Sequence, residues 1–215
     1  MKFKVCGMKF QENIEAVASL QPDYMGFIFY EKSPRNFEGD IPALPITIKK
    51  TGVFVDASVD FIIKKVKQYN FRAIQLHGNE SSKFCQELKD ALTTIKRFNQ
   101  IEIWKVFSIK DEFDFDRLSP YEEIVDYFLF DTKGKEKGGN GYTFDWSVLK
   151  NYPSTTPFVL SGGIGSDQID SILSFMKTPV FKYLYAVDLN SKFESKPGLK
   201  NTKELKEFLS DLSGH

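Results

Sequence analysis

At 215 residues, with 29 lysines and arginines against 29 aspartates and glutamates, the chain has no formal net charge, which excludes the broad basic field used by nucleic-acid and anionic-membrane binders. The length suits a single domain, residues 1–215, with core enough to need neither disulfide nor metal. Two cysteines and two histidines offer no metal-ligand spacing, so reduced thiols, no metal site and a small, locally recognised ligand are expected.

The chain opens on MKFKVCGMKF, which lacks the continuous apolar stretch of a secretory leader and reads as a first strand. No segment reaches the roughly eighteen uncharged apolar residues of a membrane span, and a cytoplasmic chain is expected. Seven further apolar runs follow in order: YMGFIFY, KTGVFVD, RAIQLHG, IWKVFS, YFLFDT, PFVLSGG and YLYAVDL. Their starts lie about 20 to 30 residues apart, room for a strand, a helix and two loops per unit.

Between the runs the period changes to that of a helix. In SVDFIIKKVKQYN, Ile62, Val66 and Tyr69 fall at i, i+4 and i+7 behind a cap at Ser58. ESSKFCQELKDAL places Phe84, Leu88 and Leu92 on one stripe, with Cys85 assigned to the core. SDQIDSILSFM opens on a cap-like Ser166 and puts Ile169, Ile172 and Phe175 on one face; Thr202 to Leu212 reads as the closing helix. One interval breaks the pattern. SPRNFEGDIPALPITIKK holds three prolines and little apolar period, so the second helix is expected to be stunted or replaced by a loop. Strand then helix, repeated, means parallel pairing. Eight such units, with no G-x-G-x-x-G after the first strand, favour a single α/β domain closed as a (β/α)8 TIM barrel over an open doubly wound sheet.

In such a barrel the chemistry sits where strands end, here at Cys6 and Gly7, Lys32 to Arg35, Asp56, Gln75 to Gly78, Asp131, Gly162 and Gly163, and Asp188 to Ser191. VLSGGIGSDQ either exposes consecutive N–H groups to an anion or is only a glycine-rich turn. The loops after strands 7 and 8 commonly share a phosphate, which favours the first reading, and Asn190 and Ser191 can add donors. Cys6 is either a small core hydrophobe or, as the last residue of its strand, a thiol at the barrel mouth that serves as a base. Asp131 precedes a segment with Gly134, Gly138, Gly139 and Gly141; it either caps that turn and pairs with Lys133 or Lys135, or is a buried carboxyl with a proton to give. Arg35, stiffened by Pro34, is a solvated loop residue or a bidentate grip on a carboxylate. His77 is a ligand contact or a hydrogen-bonded strand-end histidine.

Taken together, KVCGM, GFIFYEKSPR, GVFVD, IQLHGNE, FDTKGKEKGGNGYTFDW, LSGGI and VDLNSKFESKPGLKN resemble the phosphoribosylanthranilate isomerases of tryptophan biosynthesis, from the first strand to the last loop. The resemblance implies an Amadori rearrangement of a phosphosugar substrate without cofactor or metal. It implies Cys6 as general base, Asp131 as general acid, Arg35 on the anthranilate carboxylate, and Gly162, Gly163, Asn190 and Ser191 around the phosphate. His77 and Asp188 are counted with the substrate contacts. The segment after Asp131 is expected to fold over the substrate, its Lys133, Lys135 and Lys137 drawing in a doubly anionic ligand, or else to be a disordered insertion with solvated charges. Two departures stand out: Lys192 where the family usually has glycine, and the irregular second unit.

Among rival phosphosugar barrels, an indole-glycerol-phosphate synthase relies on lysine and glutamate at strand ends and a pentose-phosphate epimerase on aspartates and a histidine-held metal; no lysine stands at a strand tip here. A catalytically silent phosphosugar-binding barrel is the rival of another class, and the presence of both Cys6 and Asp131 speaks against it. Monomer and homodimer are both left open.

Overall fold

The computed structural model describes residues 1–95, 100–110, 112–132 and 145–213. The eight strands are β1 (Lys2–Val5), β2 (Tyr24–Phe29), β3 (Lys49–Phe54), β4 (Ala73–Leu76), β5 (Glu102–Ile109), β6 (Tyr127–Thr132), β7 (Phe158–Leu160) and β8 (Leu184–Leu189). Each pairs in parallel with the next, and β1 pairs with β8 from Lys2 opposite Ala186 to Val5 opposite Leu189, so the sheet closes as the repeat predicts. A short antiparallel pair, β9 (Glu194–Lys196) and β10 (Leu199–Lys200), follows β8.

The helices are α1 (Gln11–Ala18), α2 (Val59–Tyr69), α3 (Ser82–Thr93), α4 (Ile169–Met176) and α5 (Thr202–Ser213). Ser58 caps α2 by accepting from the Phe61 N–H at 3.3 Å, and Ser81 caps α3 by accepting from Phe84 at 3.2 Å. α2 buries Ile62, Val66 and Tyr69, as its spacing predicts. On α3 the buried stripe is Cys85, Leu88 and Leu92, with Phe84 at its edge. α4 starts three residues later than the expected cap at Ser166. The Gln168 N–H donates to Gly165 at 2.9 Å, an i to i+3 bond that makes Ser166–Gln168 a 3-10 turn and leaves α4 without a side-chain cap.

No α-helix follows β2, β5 or β6 among the described residues. After β2 the proline-rich stretch is a loop, as expected. After β5 and β6, 3-10 turns at Phe115–Tyr121 and Trp146–Asn151 stand where the repeat predicts helices. Asp114 and Asp145 accept from the N–H two residues on, a closure that tightens the first turn, and Pro120 ends any propagation of the former.

The sheet separates two apolar regions. The larger packs helices and turns against the outer face; the smaller fills the barrel with Tyr24, Ala73, Trp104, Val106, Leu129, Val159 and Ala186. Its lower end is an aromatic plug in which Tyr24 meets Trp104 edge-on at 4.8 Å and Tyr127 stacks on Tyr185 at 4.0 Å. Glu102 accepts from the Tyr24 hydroxyl at 2.9 Å and the Trp104 indole at 3.2 Å, so the plug's polar edges are paired. The barrel is thereby filled at this end.

Candidate active site

Above the plug the barrel interior becomes polar. Alternation along β1 turns Lys4 and Cys6 to the same inner face, and the Cys6 N–H extends the ladder by donating to Leu189 at 2.8 Å. Cys6, Arg35, His77, Asp131, Gly162, Gly163, Asp188, Asn190 and Ser191 all line one pocket at the C-terminal rim, joined by Tyr30, Ser33, Gln75 and Ser161. The expected base, acid and substrate-contact residues are thus brought to a single cavity. Asp56, also at a strand end, does not line it; its side chain accepts from the Asn79 N–H and ties two loops together.

Asp131 is buried, 4 % exposed, and its Oδ2 lies 3.2 Å from His77 Nε2 while its Oδ1 accepts from the Thr132 N–H at 3.0 Å. His77 Nδ1 in turn lies 3.1 Å from the Gln75 amide nitrogen, so Gln75 holds the ring from behind while Nε2 faces Asp131. The turn after β7 crowds the same carboxylate. Gly162 and Gly163 adopt φ of +87° and +70°, and a Cβ on Gly162 would come within 2.6 Å of Asp131 Oδ1. Glycine is required there both by conformation and by space. Thr132 Oγ1 donates to the Gly162 carbonyl at 3.2 Å, locking the turn to β6.

Cys6 is 3 % exposed. Burial pushes its thiol above the ordinary value, the Lys4 ammonium pulls it down, and the Asp188 carboxylate pushes it up again. Lys4 itself is fully buried and donates to Asp188 Oδ2 at 2.7 Å. Burial presses its pKa down, but the negative partners Asp188 and Cys6 outweigh that, and the net direction is up. Asp188 Oδ1 is buried without a hydrogen-bond partner.

Arg35 is held from behind. Its Nε donates to both Glu194 oxygens at 3.0 Å and its Nη2 to Oε2 at 2.6 Å. Glu194 also accepts from Lys200 Nζ at 2.6 Å, and Lys200 donates to Asn190 Oδ1 at 2.7 Å. Burial alone would raise the Glu194 carboxyl, but Arg35 and Lys200 hold it below the usual glutamate value, while burial brings Lys200 down to about 8 against the pull of Glu194. The Asn190 side-chain oxygen is therefore committed to Lys200, while its donors remain on the side of the pocket that Asn190 lines. Lys4, Glu194 and Lys200 were not anticipated. Lys4 had a signal, a lysine in period with Cys6 on the first strand; Glu194 and Lys200 lie in the short β9 and β10, too brief to show a period.

Lys192, at the position where glycine is usual, has no left-handed backbone, so nothing in its conformation demands glycine. It sits in a 3-10 turn with Nζ 3.7 Å from Asp167 Oδ2, beside the turn at Gly165. The expected lid, with Lys133, Lys135, Lys137 and the four glycines, lies outside the described residues.

The family model for N-(5'phosphoribosyl)anthranilate (PRA) isomerase matches residues 3–211. An N-(5'-phosphoribosyl)anthranilate isomerase of Parabacteroides distasonis is 41% identical, over 99% of this chain and 93% of its own, and one of Phocaeicola vulgatus is 38% identical over 99% and 98%. Among solved structures, phosphoribosyl anthranilate isomerase from Thermotoga maritima superposes with a TM-score of 0.81 at 29% identity over 100% of both chains. A structure of such an isomerase in complex with reduced 1-(o-carboxyphenylamino)-1-deoxyribulose 5-phosphate gives a TM-score of 0.78 at 26% identity, again over 100% of both chains. With family model, relatives and fold in agreement along the whole chain, it belongs to the N-(5'-phosphoribosyl)anthranilate isomerase family.

Proposed function

We propose that the chain isomerises N-(5'-phosphoribosyl)anthranilate to 1-(2-carboxyphenylamino)-1-deoxyribulose 5-phosphate in tryptophan biosynthesis, with Cys6 as the base and Asp131 as the acid. The observation that supports this most is the placement of a thiol on β1 and a carboxyl on β6 in one pocket whose rim carries the Gly162–Gly163 turn. As the anilino nitrogen pushes electrons into the C1'–ring oxygen bond, Asp131 delivers a proton to that oxygen, and the sugar opens to a protonated Schiff base. Cys6, as thiolate, then takes the C2' proton and an enolamine forms. The balance closes when C1' gains a proton and the 2'-hydroxyl loses one, which restores both groups. Two groups of opposite protonation state are required, and each contributes on the order of 10²–10⁴-fold.

Arg35, aimed by Glu194, takes the anthranilate carboxylate; the Gly162–Gly163 turn, Asn190 backbone and Ser191 take the phosphate; His77 and Asp188 contact the sugar. The ligand is a small phosphosugar, and a cytoplasmic setting keeps Cys6 reduced. Among the described residues no helix is long and apolar enough to cross a membrane. The test is the decay of substrate fluorescence with purified protein. Wild type is expected to turn over, with Cys6→Ala and Asp131→Asn each slowed at least about 100-fold. Full activity in either variant removes that residue's role, and an inactive wild type restores the silent-barrel reading.

A further inference from the structure

A thiol buried in a nearly closed pocket is a poor base unless something nearby favours the negative sulfur. The elements around Cys6 supply few charges. β2 offers only Gly26, whose Cα hydrogen faces the sulfur so closely that a Cβ would come within 2.7 Å of Sγ. β8 offers Asp188, which opposes a thiolate; the segment after β8 offers Lys200, already bound to Glu194 and Asn190; and the loop after β2 offers Arg35, whose guanidinium is engaged by Glu194. Asp131 and His77 stand across the pocket on β6 and beyond β4. That leaves Lys4, fully buried directly below Cys6 on the same face of β1 and over the Trp104 ring at 5.9 Å.

We propose that Lys4 is a positioning residue for the isomerase reaction: its ammonium, anchored to Asp188, supplies the positive charge that lets Cys6 lose its proton and act as the base. The geometry gives Lys4 no route to substrate, because its charge lies beneath Cys6 and Asp188 and above the aromatic plug. A lysine retained at that depth needs anions around it: Asp188 Oδ2 accepts one of the three ammonium N–H groups, and the Cys6 sulfur, two residues on along the same face of β1, is the next group there able to carry negative charge. Lys4 and Asp188 then act on Cys6 with opposite sign. Removing the first disfavours the thiolate; removing the charge of the second favours it.

This rests on Cys6 being the base, and the two claims fail differently. The readout is peptide-resolved alkylation of Cys6 by iodoacetamide across pH, which reports the sulfur whether or not the enzyme turns over; Cys85, fully buried with its thiol pushed up to about 11, serves as an internal reference. Lys4→Gln keeps a donor toward Asp188 and removes the charge. Its alkylation midpoint is expected to move up by about one pH unit or more, with kcat down at least about tenfold and KM within about threefold, and Lys4→Arg is expected to restore most of both. Asp188→Asn is expected to move the midpoint the other way, downward. A folded Lys4→Gln protein with the wild-type alkylation curve overturns the proposal. Should Lys4→Gln not fold, a midpoint in Asp188→Asn that stays put or rises overturns it instead. Full activity in Cys6→Ala would sink the base assignment while leaving the alkylation result intact.

Discussion

Gly26 decides where the sulfur of Cys6 can be. It sits in the middle of β2, where a side chain would normally fill the barrel, and the Cys6 Sγ, Cα and Cβ occupy that space at 2.7, 3.2 and 3.3 Å from where a Cβ would stand. Gly26→Ala is expected to cost about 1–3 kcal/mol of stability through overpacking, and to lower kcat more than tenfold by displacing the base; an unchanged kcat in a folded variant would show that the sulfur's position is not critical. At the same rim, Glu194 couples Arg35 to Lys200. A carboxyl held below its unfolded value stabilises the fold above that value and loses the contribution as pH falls through the folded one. The difference in unfolding free energy between wild type and Glu194→Gln should therefore be full near neutrality and shrink as pH drops below the ordinary glutamate value of 4.5. Urea titrations at several pH values would read it, and a difference that stays constant over that range would contradict the coupling. At this scale the sequence shows Cys6, Asp131, Arg35 and His77 as candidates because each follows an apolar run. It does not show Glu194 or Lys200, whose partners lie 159 residues and 10 residues away and are brought to them only by the fold of the short β9–β10 pair.

Elements with a strong period were legible, and elements without one were not. The stripes of α2 and α3 and the cap at Ser58 are written locally, since a serine followed by an apolar period is enough to define a start, and the structure adds a second cap at Ser81. Ser58→Ala and Ser81→Ala are each expected to cost about 1 kcal/mol, and the double variant about 2, because the caps lie on different helices and share no partner. Chemical denaturation measures both, and a double variant no less stable than wild type would refute the capping role. The 3-10 turns after β5 and β6 were not legible, because an aspartate that opens an α-helix and one that closes a single tight turn look alike in sequence. The late start of α4 has the same origin: Ser166 has the chemistry of a cap, but the i to i+3 bond at Gly165 takes the first turn away from it.

For the whole molecule, closure of the sheet is what places β1 beside β8 and both across from β6, so residues separated by more than a hundred positions share one cavity. Eight repeats in the sequence foretell that closure, and the C-terminal rim as the site follows from it. The polar layer beneath the site does not follow, because nothing local marks Lys4 as buried and Asp188 on its own strand looks like a substrate contact. Only the register of β1 with β8 makes them a buried pair. The most direct test is a crystal structure of this protein with reduced 1-(o-carboxyphenylamino)-1-deoxyribulose 5-phosphate bound. The account predicts C2' within about 3–3.5 Å of the Cys6 sulfur, the sugar oxygen that carries the ring closure within similar reach of Asp131, and phosphate on the backbone at Gly163 and Ser191. A ligand bound with its C2' turned away from Cys6, or with its phosphate seated elsewhere, would contradict it.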